Sequence, residues 1–186
     1  MTGRQGARGH ERPTPRETWS ALARDVGEPE AARRCAAMLL AESPTDVADT
    51  LGWLGGVAPE TLVPDSSWKP YWVRVWGARG LLYVWDDSCV AAVVQGLGDE
   101  HWRVAEMCVK VCARRETGAG GPGVAALADS ELPRVRSAVA RALGLIGDTE
   151  HAAVVRQLLD DPDRAVQAAA ETALTRMTER LDLTRD

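Results

Sequence analysis

Four valines set the frame for this chain. Val73, Val104, Val135 and Val166 each stand 31 residues from the next. Four positions on from each are Gly77, Cys108, Val139 and Ala170, and eight on are Leu81, Cys112, Leu143 and Leu174. Small or apolar residues at i, i+4 and i+8 lie along one face of an α-helix. The same face returning at a fixed period is the signature of a solenoid, in which each unit buries its stripe only against its neighbours. The clearest copy is LPRVRSAVARALGLIGD, Leu132 to Asp148, an Ala-rich helix stopped by Gly147-Asp148.

Shorter apolar runs lie between these helices. DSCVAAVVQGLGD and TEHAAVVRQLLDD share AAVV, a Leu and an Asp, and GPGVAALADS is a weaker third copy. Each unit is therefore a short outer helix, an acidic turn and a longer inner helix. Asp99, Asp161 and Asp163 fall where inner helices begin and suit N-capping. Upstream the pattern fades. EAARRCAAMLLAE reads as an inner helix with Ala32-Arg33 in the Val-Arg place, RETWSALARDVG as its partner, and TDVADTLGWLGG as the next outer helix. From Ala32 to Val73 is 41 residues, ten beyond the period, and VAPETLVPDSSW accommodates the excess as a loop. The expectation is an all-α fold, an α-solenoid of about five antiparallel helix pairs in a right-handed arc without sheet. The pairs fall near residues 16–42, 45–85, 87–116, 121–147 and 149–181. Residues 1–15, which lack large apolar side chains after Met1, read as a disordered tail, 16–181 as a single domain and 182–186 as a C-terminal tail.

Composition narrows the function classes. The 186 residues hold seven Trp, two Tyr and no Phe, so Ala, Val and Leu must make most of the core. No apolar run reaches the roughly 18 residues needed to cross a bilayer, and the start lacks a signal-peptide h-region. The expectation is a soluble cytoplasmic protein without a membrane partner. Cys35, Cys89, Cys108 and Cys112 form no CxxC pair, and His10, His101 and His151 are scattered, so no metal or cofactor is expected. The thiols read as small buried side chains. The net charge of −5 opposes non-specific nucleic-acid binding, yet 20 of the 22 basic residues are Arg.

With the stripe of each inner helix at its Val and at +4, +8 and +11, the opposite side falls near −1, +2, +6 and +10. The −1 row is Trp72, Arg103, Arg134 and Ala165; the +6 row is Arg79, Lys110, Arg141 and Thr172. The +10 row is Tyr83, Arg114, Leu145 and Arg176, and the +2 row is Val75, Glu106, Ser137 and Ala168. The groove face is thus mostly basic in an acidic chain. Either it is a solvated Arg surface, or it binds an anionic partner, with Trp72, Arg79, Tyr83, Arg103, Lys110, Arg114, Arg134 and Arg141 as candidate contacts. An acidic protein or peptide fits the composition better than nucleic acid. Trp68, Trp72, Trp76 and Trp85 crowd one helix and its lead-in. Either they anchor a partner, or the loop 56–67 folds back over them. No nucleophile–base pair, phosphate loop or HExxH motif stands out.

The pattern V-R-x-A-x-x-x-A-L-G-x-I-G-D, carried by Val135-Arg136, Ala138, Ala142-Leu143-Gly144, Ile146, Gly147 and Asp148, resembles the short HEAT-like repeats of phycobilisome lyases. The D-P-D turn of such repeats is matched by Asp161-Pro162-Asp163, and Val73-Arg74 keeps the Val-Arg pair. The resemblance covers 69–178 well and 16–55 poorly. It implies an α-solenoid whose inner helices line a concave surface. Such stacks include scaffolds, enzyme partners, lyase subunits and alkylpurine DNA glycosylases, and fold alone does not choose among them. A non-enzymatic binding module or scaffold is the favoured reading. A DNA-binding protein of the glycosylase kind is the alternative, with Trp85 and Asp86-Asp87 in the place of that family's groove Asp and Trp; those acids read more simply as a helix stop or cap.

Overall fold

The computed structural model describes residues 13–55 and 69–183. Trp68, the loop 56–67 and nearly all of the expected N-terminal tail lie outside the described residues. The described chain is helical and contains no strand. Its α-helices, in order, are α1 (Pro15–Val26), α2 (Glu28–Leu39), α3 (Ala48–Gly55), α4 (Pro70–Gly80), α5 (Val90–Gly96), α6 (Trp102–Arg115), α7 (Gly121–Ala125), α8 (Pro133–Ile146), α9 (Ala152–Gln157) and α10 (Arg164–Leu181). Ten helices among the described residues stand in the order of five outer–inner pairs, and four of those pairs pack together. Helices α2, α4, α6, α8 and α10 pack successively side by side, while α1, α5, α7 and α9 each pack against the inner helix that follows them.

The valine stripe forms the core. Val73, Val104, Val135 and Val166 are buried, as are Cys108, Val139, Ala170, Leu81, Cys112 and Leu143. Burying a Val or Leu completely contributes roughly 1.5–3 kcal/mol relative to exposure, so the repeated face accounts for much of the driving force. The stripe departs from the pattern at its end: position +11 holds Val84, Ile146 and Met177 in the core but half-buried Arg115 in α6. The cysteines are all free and buried. Burial pushes the Cys112 thiol up to about 11, and those of Cys35 and Cys108 further, which keeps them protonated and unreactive.

Where the period is irregular, α4 is held to α2 by close approach. A Cβ at Gly77 would lie 2.5 Å from the Cys35 carbonyl oxygen and the Leu39 nitrogen; at Gly80 it would meet Cys35 Sγ at 2.5 Å and the Trp19 ring at 2.8 Å. Only glycine lets α4 lie this near α2, and Trp19 of α1 fills the remaining space at 1% exposure. The ten-residue excess before α4 therefore leaves the inner-helix packing uninterrupted.

The ends differ from expectation by a residue or two. Thr14 caps α1 through a reciprocal box with Glu17, and Pro15 at N1 belongs to the helix rather than to a tail. At the other end Asp182 takes a left-handed conformation (φ 51°). The Leu183 N–H then returns to the Thr178 carbonyl (3.2 Å), and its side chain packs on the core.

Candidate functional site

The acidic turns come first because in two of the units they tie one inner helix to the start of the next. Arg74, one position after Val73, donates to both oxygens of Asp99 (2.6 and 3.1 Å). Arg136, one position after Val135, does the same to Asp161 (2.6 and 2.8 Å). In both cases the partners are 25 residues apart, and all four side chains are at most 14% exposed. The Arg136 bonds hold the Asp161 carboxyl below the usual carboxylate range, and each Arg is raised by its partner. In the intervening unit the same two places hold Ala105 and Ser130, so Arg and Asp are replaced together.

These contacts refine the expected caps. Asp163 is the N-cap of α10, accepting from the Ala165 N–H at 2.8 Å. Asp99 and Asp161 stand two residues earlier. Besides their Arg, they accept the backbone N–H of His101 (2.8 Å) and Asp163 (2.9 Å). His101 itself is the N-cap of α6, its Nδ1 accepting from the Arg103 N–H at 3.3 Å.

The groove lies on the other side. The +2 row, expected to face it openly, is buried in three of its four members: Val75 is 6% exposed, Glu106 5% and Ser137 3%, while Ala168 on the last inner helix is exposed. The next inner helix covers these positions, because +2 of one helix meets −1 of its neighbour 28 residues on. Ser137 Oγ accordingly donates to the Ala165 carbonyl (3.2 Å), and Glu106 receives Arg134 through Nη2 (2.9 and 3.0 Å) and Nε (3.2 Å). Lys110 adds a second cation to the same carboxylate at 2.8 Å. Arg141 sits over Ser137, its Nη2 donating to Oγ at 2.7 Å.

Around this floor opens a cavity of about 1030 Å³ between α6, α8 and the start of α10. Lys110, Arg114, Arg134 and Arg141 line it, with Ala113, Ala138 and Leu145 between them. Its carboxylates are Glu106, already shared by two cations, Asp163, which caps α10, and Glu116. Among the described residues, Arg114 and Arg141 have no carboxylate partner.

Four of the eight candidate residues are thus brought together, and four are not. Trp72 and Arg103 form a second cluster beside the cavity. Arg79 stands exposed at the last turn of α4 and does not line the cavity. Tyr83 is a correction. Helix α4 closes at Gly80, so Tyr83 lies in the following turn, half-buried and packed on the core, with its N–H bonded to the Gly80 carbonyl at 2.8 Å. The helical extrapolation to +10 fails there because α4 is shorter than α6 and α8.

Trp102 was not among the residues picked out by spacing. It sits one place before the −1 row, yet the Arg103 guanidinium carbon lies 4.3 Å from its ring centroid and that of Arg134 4.9 Å. Arg103 also approaches Trp72 at 5.7 Å. Behind them His101 stacks flat on Tyr71, 3.6 Å apart at 7°. Trp102 therefore joins the Trp72 end of the groove to the cavity. The signal available in the sequence was an aromatic at the start of α6, next to the row of arginines.

The acids after Trp85 are structural. Asp86 caps the turn Asp87–Cys89, and the hydroxyl and backbone N–H of Ser88 hold its carboxyl low. Asp87 accepts the Trp85 indole N–H at 2.9 Å. Neither lines the groove cavity. No group of three His, Cys, Asp or Glu among the described residues is placed to hold a metal ion, and no described helix is long and apolar enough to cross a membrane.

Comparison with known proteins addresses the fold. Residues 122–183 match the family of HEAT repeats. The complex of CpcE and CpcF of phycocyanin lyase from Nostoc sp. PCC7120 is similar at a TM-score of 0.56, with 20% identity over 96% of this chain and 70% of that one. Human deoxyhypusine hydroxylase, in complex with glycerol, is similar at 0.52, with 23% identity over 90% of this chain and 70% of that one. No curated protein matches the sequence. Identities this low speak for the fold alone. The last two helix pairs match HEAT repeats, and the described chain as a whole is an all-α solenoid similar in fold to these two structures.

Proposed function

We propose that this protein is a non-enzymatic binding module that engages an acidic protein or peptide segment through the groove of its inner helices. The observation that carries this reading is the cavity between α6, α8 and α10. There, four cations line one concave surface, while the acids beside them are occupied by Arg134 and Lys110 or by a helix cap, apart from Glu116. Surplus positive charge in a concave site of an otherwise acidic chain attracts anions and steers their approach. The apolar floor of Ala113, Ala138 and Leu145 gives the same partner something to desolvate against. The phycocyanin lyase neighbour is itself a complex of two chains, in keeping with a protein partner.

Calorimetry with a glutamate-rich peptide tests this directly. The peptide should bind with an affinity that falls as salt rises. Charge reversal at Arg114→Glu with Arg141→Glu should remove binding while leaving the helical signal and melting temperature nearly unchanged, since exposed substitutions usually cost within about 0.5 kcal/mol. A double variant that keeps its affinity makes the arginines a solvated face. Tight duplex-DNA binding with a steep salt slope, in place of peptide binding, would replace the reading with the nucleic-acid one.

A further inference from the structure

We infer that the acidic partner is a linear segment with an aromatic side chain at one end, held across three inner helices rather than inside the cavity alone. This deepens the proposed function and rests on it. Arg134 belongs to two arrangements at once: its guanidinium is bonded to Glu106 at the cavity wall and stacked on Trp102. Arg103 approaches the same Trp102 ring and also Trp72. The cationic surface is therefore continuous from α8 through α6 to α4. Arg103 has no carboxylate partner among the described residues, and its guanidinium carbon lies 4.3 Å from the Trp102 ring centroid and 5.7 Å from that of Trp72. A guanidinium stacked in this way keeps its in-plane N–H donors free for a carboxylate and has lost its conformational freedom beforehand.

The end of this surface has different chemistry. Trp72 is 39% exposed and Trp76, four residues on along the same helix, is 37% exposed. Together they are the most exposed aromatic surface among the described residues, and Trp72 lies beside Arg103. An indole flanked by a guanidinium offers an aromatic ring both apolar contact and a stacking face. Charge complementarity thus places the acidic run over Arg141 and Arg114 at the cavity, and the tryptophans place an aromatic residue beyond Arg103 at the other end. Inner helices pack about 10 Å apart, so α4 and α8 are about 20 Å apart. An extended chain advances about 3.3 Å per residue, which sets a spacing of about six residues between the aromatic residue and the acidic run.

The experiment uses three peptides titrated by calorimetry into the full chain. The first carries one phenylalanine, a six-residue Gly/Ser spacer and four glutamates. The second has alanine for the phenylalanine, and the third a one-residue spacer. The first should bind at least fivefold more tightly than either of the others. Trp72→Ala should erase that advantage and leave the alanine peptide unchanged, whereas Arg114→Glu with Arg141→Glu should weaken all three. Equal affinities for the three peptides, or an equal loss on both peptides from Trp72→Ala, overturns the aromatic anchor while the acidic groove survives. If none of them binds, the acidic groove falls and the anchor with it. Binding of oligo(dT) that depends on Trp72, with no peptide binding, assigns the surface to single-stranded nucleic acid instead.

Discussion

Two kinds of ionic contact link neighbouring inner helices, and they differ in whether they are closed. At the acidic turns, Arg74–Asp99 and Arg136–Asp161 are bidentate pairs with both partners well buried and the remaining carboxylate capacity spent on a backbone N–H; Arg74 also reaches the exposed Glu100 at 3.4 Å. In the groove, Glu106 is buried but its cations are not: Arg134 is 59% and Lys110 42% exposed. Arg114 and Arg141 add positive charge without a carboxylate partner among the described residues, beside Asp163, which caps α10, and Glu116. A closed buried pair has nothing left to offer a ligand and serves the stack. An open cluster is half-way to an interface.

Breaking a closed pair should cost most. Asp161→Ala leaves Arg136 without its carboxylate and the Asp163 N–H without its acceptor. Removing one partner of a buried pair typically costs about 3–5 kcal/mol; at this partly solvated edge about 3 kcal/mol is expected, read by urea denaturation. A loss below about 1 kcal/mol would place the pair with ordinary surface bridges.

Opening the groove cluster further should have the opposite balance. Glu106→Gln frees Arg134 and Lys110, which can turn to water, so the stability loss is expected near 1 kcal/mol. The same change removes a negative charge from the cavity wall and should tighten the glutamate-rich peptide several-fold. The contrast fails if Glu106→Gln unfolds the protein as Asp161→Ala does, or weakens the peptide.

A smaller effect separates the two closed pairs. The N-cap beside Asp99 is His101, whereas the N-cap beside Asp161 is Asp163. The His101 cap needs an unprotonated Nδ1. Burial first, then the nearby Arg103, lowers the His101 pKa; Arg74 acts the same way, and Asp99 and Glu100 oppose it. The folded value therefore lies below the unfolded one of about 6.5. The neutral ring's contribution is present above that unfolded value and is lost as pH falls toward the folded one. Wild-type melting temperature should decline between pH 7.5 and 5.5. His101→Asn, which keeps a capping oxygen without titrating, should decline less. Parallel curves would remove His101 from the pH dependence.

Much of this was readable before any coordinates. The 31-residue step, the Val, +4 and +8 stripe and the five pairs follow from local periodicity, because a helix face repeats with its own geometry whatever surrounds it. The match of Arg74 with Asp99 and of Arg136 with Asp161 was present as a shared 25-residue spacing, absent together at Ala105 and Ser130. Once the stack is known, a spacing that survives or vanishes as a pair marks a contact.

What the sequence could not decide is which neighbour covers which side. A single helix assigns +2 to its open face; the adjacent helix buries it, turning Glu106 from a surface acid into the floor of the groove. Where α4 ends was likewise not legible, and its stop at Gly80 puts Tyr83 in the following turn rather than on the helix face. The stacking of Arg103 and Arg134 on Trp102 joins residues on different helices. Periodicity reports the direction of a side chain relative to its own axis. Burial and partnership depend on the distance and rotation between axes, and those are fixed only when all the helices pack.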